Sequence, residues 1–370
     1  MVLMNNNEYE YEWGSIQNVT LRNKWSHFAG AFSRQYEYEC IKTACNKEDY
    51  FVLLIYRNKE IALAGGFRVR HFHKSLLRFH YVEFGVPLTV QRSMLKNSEV
   101  FLEDKIAVRH LLNEIFKEIC RSLSAGFVLL KAISQEDTLF EFSMKTCFFL
   151  RSSPMWAWRE RDSFEQYIQT LSKNRRKAIR KINSKASDFN LRFEVKDLES
   201  ADAHNIAQIS ALMMGNMTKY GNNAEFDPLV YFDCLRRSSQ SKIMLLQIRS
   251  SEEVVAFEVL SVSHKIPTEL EVSLAGIDDS RRFSVSLYDM LFVNEVKWTL
   301  ENIKGFSKCT IGQGCDSIKR SYGAYEEKTI AAVWFHHPVF RFFSNKISVL
   351  FFRILKIAHI VKYDHWSGGK

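Results

Sequence analysis

The order of strands and helices that the sequence predicts is the same in the two halves of the chain. In each half, a hairpin with a charged turn precedes a third strand, a long helix and a strand that opens with Gly-Phe. The pairs Gly126-Phe127 and Gly305-Phe306 lie 179 residues apart, and the long helices align at that offset. Strands with helices between them favour α/β or α+β units. We therefore expect two tandem copies of one mixed-sheet unit.

In the first half, apolar runs bounded by turns predict strands over 50–57, 61–72, 76–84 and 127–133. A 3.6-residue apolar period predicts a helix over 104–123. The chain before about residue 46 is predicted to be helix and loop, with a helix over 25–40. Residues 147–158 are predicted to be strand or loop.

The second half is predicted to repeat this plan. Strands are expected over 191–198, 242–249, 254–263, 268–277, 306–312 and 328–337, and helices over 172–185, 199–214, 227–237, 284–302 and 315–324. The last strand is expected to complete the second unit. The resulting domains are residues 1–160, residues 161–337 and a tail over 338–370.

Length and composition agree with two folded domains in a reducing compartment. At 370 residues the chain exceeds the roughly 250–300 residues that one core serves, and 46% of it is hydrophobic. The seven cysteines are an odd number without close metal-ligand spacing, so reduced thiols and no metal site are expected. The N-terminus is acidic and lacks an apolar core, so no secretory signal is expected and the location is predicted to be cytoplasmic.

A strongly basic run lies at the middle of the chain. Seven of the thirteen residues from Lys173 to Lys185 are basic and none is acidic, within a net charge of +9. Ala178, Ile179 and Ile182 form an apolar stripe at helical spacing, so the charged remainder must face water or an anion. Two interpretations stay open: a solvated basic face, or a site for a phosphate-bearing ligand such as coenzyme A, an RNA or a lipid headgroup.

The tail over 338–370 combines apolar and basic residues with partial helical separation. Its basic residues Arg341, Lys346, Arg353, Lys356 and Lys362 gather on one broad side. The tail has no uncharged apolar stretch of the roughly 18 residues that a spanning helix needs. It is interpreted as a basic amphipathic helix that contacts an anionic membrane surface, peripherally at the inner membrane face, or as a terminal helix packed on its domain.

Four segments together resemble the GNAT superfamily, in particular the tandem branch that contains the Fem-type peptidoglycan aminoacyltransferases and the acetyltransferase domain of cellulose-biosynthesis loci. They are the basic segment SKNRRKAIRKI, the hairpin around Glu253–Ala256, the helix VSLYDMLFVNEVKWTLENIKGF leading to TIGQG, and SIKRSYGA. The match covers about residues 164–335, and the first half matches in architecture only. The resemblance implies two tandem GNAT-like domains, with a degenerate copy over 1–160 and acyl transfer to an amine by the copy over 161–337.

Acyl transfer to an amine needs a proton acceptor and a donor that stabilises the oxyanion. Glu258 and Glu271 lie in predicted strands among apolar neighbours, where burial would raise the pKa of a carboxyl group, unless each points outward. Asp279 follows a strand end, as a site residue or in a solvated turn. The resemblance implies that Tyr288 protonates a leaving thiolate and that Lys319 lies near the transfer site; the alternatives are a core-edge aromatic and an exposed Lys.

The residues expected to hold the donor's phosphates lie in the basic run and in the segment before the long helix. Simple GNAT enzymes carry a Gly-rich loop before the long helix, whereas in this chain residues 278–286 follow Gly276 without another glycine. A helix N-terminus and arginines bind phosphate by dipole and charge. The predicted phosphate contacts are Arg175, Arg176, Arg180, Arg281, Arg282 and Ser284.

The sequence thus predicts an N-acyltransferase without a permanently bound cofactor or metal. Its co-substrate is expected to be acyl-CoA or another thioester, and its acceptor an amine. One alternative is Fem-type transfer from aminoacyl-tRNA, in which the basic run contacts RNA backbone. The other is a non-catalytic protein that binds anions or a membrane surface.

Overall fold

Two mixed β-sheets with packed helices form the computed structural model, one sheet in each of two compact units. The structure describes residues 5–6, 9–31, 50–74, 77–84, 95–96, 105–134, 148–151, 155–219, 227–236, 242–262, 268–281, 283–312 and 315–337. The expected fold class is therefore confirmed. The tail over 338–370 lies outside the described residues.

The described strands and helices are numbered in chain order. The strands are β1 (Asn5–Asn6), β2 (Tyr9–Ser15), β3 (Tyr50–Arg57), β4 (Glu60–Lys74), β5 (Leu77–Phe84), β6 (Leu95–Lys96), β7 (Phe127–Ser134), β8 (Phe148–Arg151), β9 (Met155–Trp158), β10 (Leu191–Asp197), β11 (Lys242–Ser250), β12 (Glu253–Val262), β13 (Thr268–Ile277), β14 (Phe306–Thr310), β15 (Tyr325–Glu327) and β16 (Thr329–Phe335). The helices are α1 (Val19–Ala31), α2 (Lys105–Ser122), α3 (Phe164–Thr170), α4 (Lys173–Asp188), α5 (Ala203–Lys219), α6 (Pro228–Arg236), α7 (Leu287–Asn302) and α8 (Asp316–Ser321).

The first sheet has nine strands in the order β1-β2-β3-β4-β5-β7-β16-β8, with β6 on β4. Neighbours from β1 to β5 are antiparallel, β5 and β7 are parallel, and β16 is antiparallel to both β7 and β8. Helix α2 covers one face, where Leu112, Ile115 and Phe116 are fully buried. This buried face explains the 3.6-residue period of the helix.

The second sheet repeats the arrangement with seven strands in the order β10-β11-β12-β13-β14-β9-β15. Strands β10 to β13 are antiparallel, β13 and β14 are parallel, and β9 is antiparallel to β14. Helix α7 buries Leu291 and Val296 against one face. Helices α5 and α6 cover the other face, where Phe232 meets Phe257 of β12 edge-on.

The final strand of each half lies in the sheet of the other half, contrary to the expectation that 328–337 completes the second unit. Strand β16 pairs with β7 of the first sheet, and β9 pairs with β14 of the second. The chain passes from the first unit to the second between Met155 and Trp156, and returns between Glu326 and Glu327. The order of elements repeats as predicted. An apolar run alone does not specify which sheet the strand joins, because any sheet that buries its apolar side chains can accept it.

The prediction of helix and loop before residue 46 was wrong for Tyr9–Ser15, which is strand β2. Tyr9 and Tyr11 are buried while Glu10 is exposed. This alternation is that of a strand with one covered face. The helix expected over 25–40 is present as α1 to Ala31, and the residues after it lie outside the described part.

Candidate active site

The second sheet opens between its two parallel strands. The pairing of β13 with β14 runs from Thr268–Phe306 to Glu271–Thr310, whereas the pairing of β13 with β12 continues to Ile277. Beyond Glu271, β13 therefore parts from β14. Crevices beside the carboxyl ends of parallel strands are common ligand sites in α/β folds. The loops that lead to α7 and α8 begin at this end.

Lys319 lies in the interior beside the opening, at 4% exposure. Its Nζ donates to the carbonyl oxygens of Ile311, at 2.6 Å, and Gly312, at 3.1 Å, just after β14. The start of α8 is held by the Trp156 indole, whose Nε1 donates to Asp316 at 2.8 Å. Burial lowers the pKa of Lys319 to about 8, although nearby acidic groups act in the opposite direction. The side chain is thus a buried cation near neutral pH.

Two buried carboxyl groups interact with Lys319. Glu258 lies on β12 opposite Leu246, on the face that packs against α7, and is 4% exposed. Glu295 lies on α7 with no exposed surface. Its Oε1 accepts from Trp158 Nε1 at 3.3 Å and from Cys309 Sγ at 3.7 Å. Burial raises the pKa of both carboxyl groups, to about 8 for Glu295, and Lys319 partly offsets the rise.

Tyr288 is half-buried in the first turn of α7, after the cap in which Ser286 Oγ accepts from the Asp289 amide. Burial raises the pKa of Tyr288, and the charge of Glu258 adds to the rise. The phenol therefore keeps its proton at physiological pH. The structure thus brings together three of the predicted catalytic residues, Glu258, Tyr288 and Lys319.

The other two predicted catalytic residues lie elsewhere. Glu271 is buried on β13, but its neighbours Leu270 and Val272 belong to the core beneath α7. Strand alternation therefore directs Glu271 to the opposite face of the sheet. Asp279 is exposed and accepts from Lys219 Nζ at 2.5 Å in a surface ion pair.

The predicted basic helix is α4, and its arginines have different environments. The Arg175 guanidinium lies 4.5 Å from the centre of the Tyr322 ring and 3.9 Å from Asp289 Oδ1. Arg176 Nη1 donates to the carbonyl oxygens of Gln169, at 3.2 Å, and Leu171, at 3.0 Å. Arg180 is exposed, as are Lys173, Lys177 and Lys181. Arg175 and Arg176 therefore hold α4 in place, while these four basic residues face solvent.

The loop before α7 has mixed charge. Arg281 is paired with Glu253 and, at 3.1 Å, with Asp278. Ser284 is exposed, and its carbonyl oxygen accepts from Lys185 Nζ at 3.0 Å. Arg282 lies outside the described residues. The positive charge of Arg281 is thus balanced by two carboxylates in this conformation.

Arg176→Ala is expected to destabilise the second unit by about 0.5–1.5 kcal/mol, because carbonyl groups at the end of α3 lose their charge-assisted donor. Arg180→Ala, on the exposed side of the same helix, is the matched control and is expected to unfold at the same urea concentration as the unmodified chain. The measurement is urea unfolding followed by tryptophan fluorescence. Equal midpoints for the two variants would contradict the anchoring role of Arg176.

Sequence reasoning did not identify Glu295, Trp158 or Cys309 as part of the site. Glu295 carried a usable signal: it lies four residues after Leu291 and four before Thr299, on the apolar side of its helix. A lone carboxyl on such a face must be paired or protonated. Trp158 and Cys309 had no comparable signal, because their role depends on the pairing of β9 with β14.

Among the described residues, no three His, Cys, Asp or Glu side chains are grouped as metal ligands. In the same part of the chain, Cys120, Cys309 and Cys315 are free thiols. No described helix combines the length and apolar character needed to cross a membrane.

Comparison with known proteins relates part of the chain to a known family. Residues 86–265 match the FemAB-like family, described as peptidoglycan biosynthesis/recognition. The matched region includes α4 and Glu258, and ends before α7 and Lys319. No curated protein sequence matches the chain.

Two solved structures share the fold. FemX superposes with a TM-score of 0.55 at 10% identity, over 90% of this chain and 100% of that one. The C-terminal domain of a putative lysylphosphatidylglycerol synthetase from Agrobacterium fabrum superposes with a TM-score of 0.53 at 14% identity, over 84% of this chain and 92% of that one. The predicted resemblance to tandem GNAT-like proteins of the Fem type is confirmed at the level of fold.

Proposed function

Given a FemAB-like region on a tandem GNAT-like fold, we propose that this chain is an N-acyltransferase that moves an acyl group from an activated donor to an amine. The observation that carries the proposal is the group formed by Lys319, Glu258 and Tyr288 where β13 and β14 part. It combines a buried cation with two groups whose pKa burial raises. Acyl transfer to an amine requires a proton donor for the leaving group, an acceptor for the amine proton and a charge that stabilises the oxyanion.

The three side chains have distinct roles in the transfer. The amine nitrogen attacks the acyl carbon, and the Lys319 ammonium stabilises the oxyanion that forms. The bond to the leaving sulfur or oxygen then breaks, and Tyr288 donates the proton to that atom. Glu258, which acts electrostatically on Tyr288, returns a proton to the phenolate. The Glu258 carboxylate that results accepts the proton that the amine nitrogen loses, so Glu258 and Tyr288 both end the transfer protonated.

Acyl-CoA is the first candidate donor, because the GNAT resemblance puts the donor's phosphates before the long helix, and α7 begins at the end of the sheet where β13 and β14 part. Its phosphates would meet the helix N-terminus and the basic side chains before it. Arg281 would have to leave Glu253 and Asp278 to take part.

Aminoacyl-tRNA is the second candidate donor, and the charge distribution favours it. The loop before α7 is balanced by acidic residues, whereas Lys177, Arg180 and Lys181 on α4 are exposed. An exposed basic helix suits the extended phosphate backbone of RNA. The FemAB-like match over α4 supports the same donor class.

A donor panel tests the proposal. Thermal unfolding is measured with acyl-CoA of several chain lengths, with coenzyme A and with charged and uncharged tRNA, and transfer of a labelled acyl group to primary amines is then followed. We expect one donor class to raise the unfolding temperature and to transfer label. If neither class does so and only anionic vesicles bind, the enzyme proposal is wrong and the binding-protein alternative stands.

If tRNA is the donor, replacing Lys177, Arg180 and Lys181 together by Ala is expected to weaken tRNA binding about tenfold or more at moderate salt. The plot of log binding constant against log salt concentration becomes shallower by about 2, since each lost phosphate contact removes about 0.7–0.9. Fluorescence anisotropy at several salt concentrations measures both effects. Lys297→Ala, exposed on α7, is the control; an unchanged slope in the triple variant would remove α4 from the RNA surface.

A further inference from the structure

Glu295 is a carboxyl group inside an otherwise apolar helix face. It has no exposed surface, and it lies between α7 and the sheet. Two donors hold its Oε1, the Trp158 indole at 3.3 Å and the Cys309 thiol at 3.7 Å. Its Oε2 has no hydrogen-bond partner in the described part of the chain. A carboxyl group is costly to bury without a full set of partners unless it keeps its proton.

Glu258, on strand β12, also has a carboxyl oxygen without a partner. Its Oε2 is also buried and without a hydrogen-bond partner among the described residues. Burial raises the pKa of Glu258 and the charge of Glu295 raises it further, while Lys319 is the cation that acts on both carboxyl groups. Other titratable groups that act electrostatically on this pair, or respond to it, are the Tyr167 phenol from α3, the Tyr288 phenol, and the thiols of Cys309 and Cys315.

One cation cannot compensate two carboxylates in a buried space. Like charges repel more strongly in the interior than in water, so full ionisation of both carboxyls is disfavoured. The pair therefore retains a proton, as like-charged carboxyl pairs generally do.

Glu258 and Glu295 differ in the hydrogen bonds that they accept, and this difference decides which of them ionises first. Glu295 receives two hydrogen bonds on one oxygen, and hydrogen bonds to a carboxylate favour the charged form. No side-chain hydrogen bond lowers the pKa of Glu258 in the same way. Glu295 is therefore the member that gives up its proton first, and its charge then opposes ionisation of Glu258.

We propose that Glu295 is a positioning residue that keeps Glu258 protonated, so that the site enters each transfer step with a proton ready for Tyr288. This inference rests on the proposed acyl transfer and extends it to a residue that does not touch the substrate. Trp158 and Cys309 determine the role of Glu295 by holding its Oε1. Through these contacts, residues of β9, β14 and α7 influence the site formed by Lys319, Glu258 and Tyr288.

Glu295→Gln tests the proposal, because glutamine keeps the shape and the acceptor oxygen but cannot become negative. Removing that negative charge lowers the pKa of Glu258, since repulsion is lost and the attraction of Lys319 remains. The Lys319 ammonium loses the support of the same negative charge, so its pKa falls as well. The alkaline limb of the pH profile of kcat/KM is therefore expected to move to lower pH by about one unit, which is about a tenfold loss at a fixed pH above the limb, and a titration of Glu258 itself separates the two contributions. Below the limb, activity is expected to stay near that of the unmodified chain.

Glu301→Gln, an exposed change on the same helix, is the matched control and is expected to leave the profile in place. A second readout does not need activity. Infrared spectroscopy at a series of pH values measures the carbonyl stretch of buried protonated carboxyl groups. The signal that remains in Glu295→Gln is assigned to Glu258 if it is lost in the double variant Glu295→Gln, Glu258→Gln. This Glu258 signal is expected to disappear at a lower pH in Glu295→Gln than in the unmodified chain.

The outcomes separate the two proposals. If Glu295→Gln folds and both its pH profile and its infrared titration match those of the unmodified chain, the positioning role is wrong while acyl transfer stands. If the infrared shift is present but no donor supports transfer, the carboxyl pair is as proposed and the acyl-transfer function fails.

Discussion

Replacing Lys319 by Met is expected to reduce the rate of acyl transfer at least about 100-fold, the usual cost of removing a group that stabilises an oxyanion. Methionine fills a similar volume without charge, so the loss is mainly electrostatic. The carbonyl oxygens of Ile311 and Gly312 also lose their donor, which costs roughly 1–3 kcal/mol of stability. Single-turnover rates with the donor found in the panel, taken with urea unfolding, separate the two effects.

The matched control is Arg320→Met, one residue later on α8. Arg320 is 69% exposed in its side chain and forms a surface pair with Glu326. Its replacement removes a positive charge without touching the buried group, so turnover close to that of the unmodified chain is expected. A folded Lys319→Met variant with the turnover of Arg320→Met would exclude Lys319 from the chemistry.

The second large effect is on stability, at Gly276→Ala. A Cβ at Gly276 would lie 2.5 Å from Cε1 of Phe257 and 3.1 Å from the backbone carbonyl carbon of Leu212. Phe257 is fully buried and Leu212 belongs to helix α5, so neither can withdraw cheaply. Overpacking of this kind costs typically about 1–3 kcal/mol. Urea unfolding is expected to show a lower midpoint by the corresponding amount.

Gly215→Ala on helix α5, which also carries Leu212, is a control that is expected to have the opposite effect. A Cβ there meets no atom within 4 Å, and the residue is exposed inside α5. Alanine in a helix interior is more favourable than glycine by roughly 0.5–1 kcal/mol, so this variant is expected to gain stability. If Gly276→Ala shifts the midpoint in the same direction as Gly215→Ala, the close packing of β13 on α5 is not as the structure has it.

The sequence predicted most helices and strands because their signals are local. The apolar run over 50–57 and the helical period over 104–123 each depend on neighbouring residues alone. Assignment of Thr329–Phe335 to a sheet was wrong because strand pairing is a long-range choice. Tyr9–Ser15 was missed because Glu10 and Glu12 interrupt its apolar residues, and Glu12 is nevertheless buried, in an ion pair with Lys24.

The residues of the candidate site that carry a local sequence signal were predicted, and those that depend on long-range packing were not. Glu258 and Lys319 were singled out by an acidic residue in an apolar strand and by a motif, and both are buried near one another's charge. Glu295 required knowing which helix face meets the sheet. A count of positive charges could not show that Arg176 binds the end of α3 while Arg180 faces water.

The exchange of end strands also has a consequence for synthesis on the ribosome. Strand β16 lies between β7 and β8, so the first sheet lacks its link to β8 until residue 335 has been made. The strands of the second sheet occupy one continuous stretch, from Met155 to Glu327, and can be complete earlier. We therefore expect the later-synthesised sheet to finish folding first, while β7 waits with an open edge that a chaperone would have to protect.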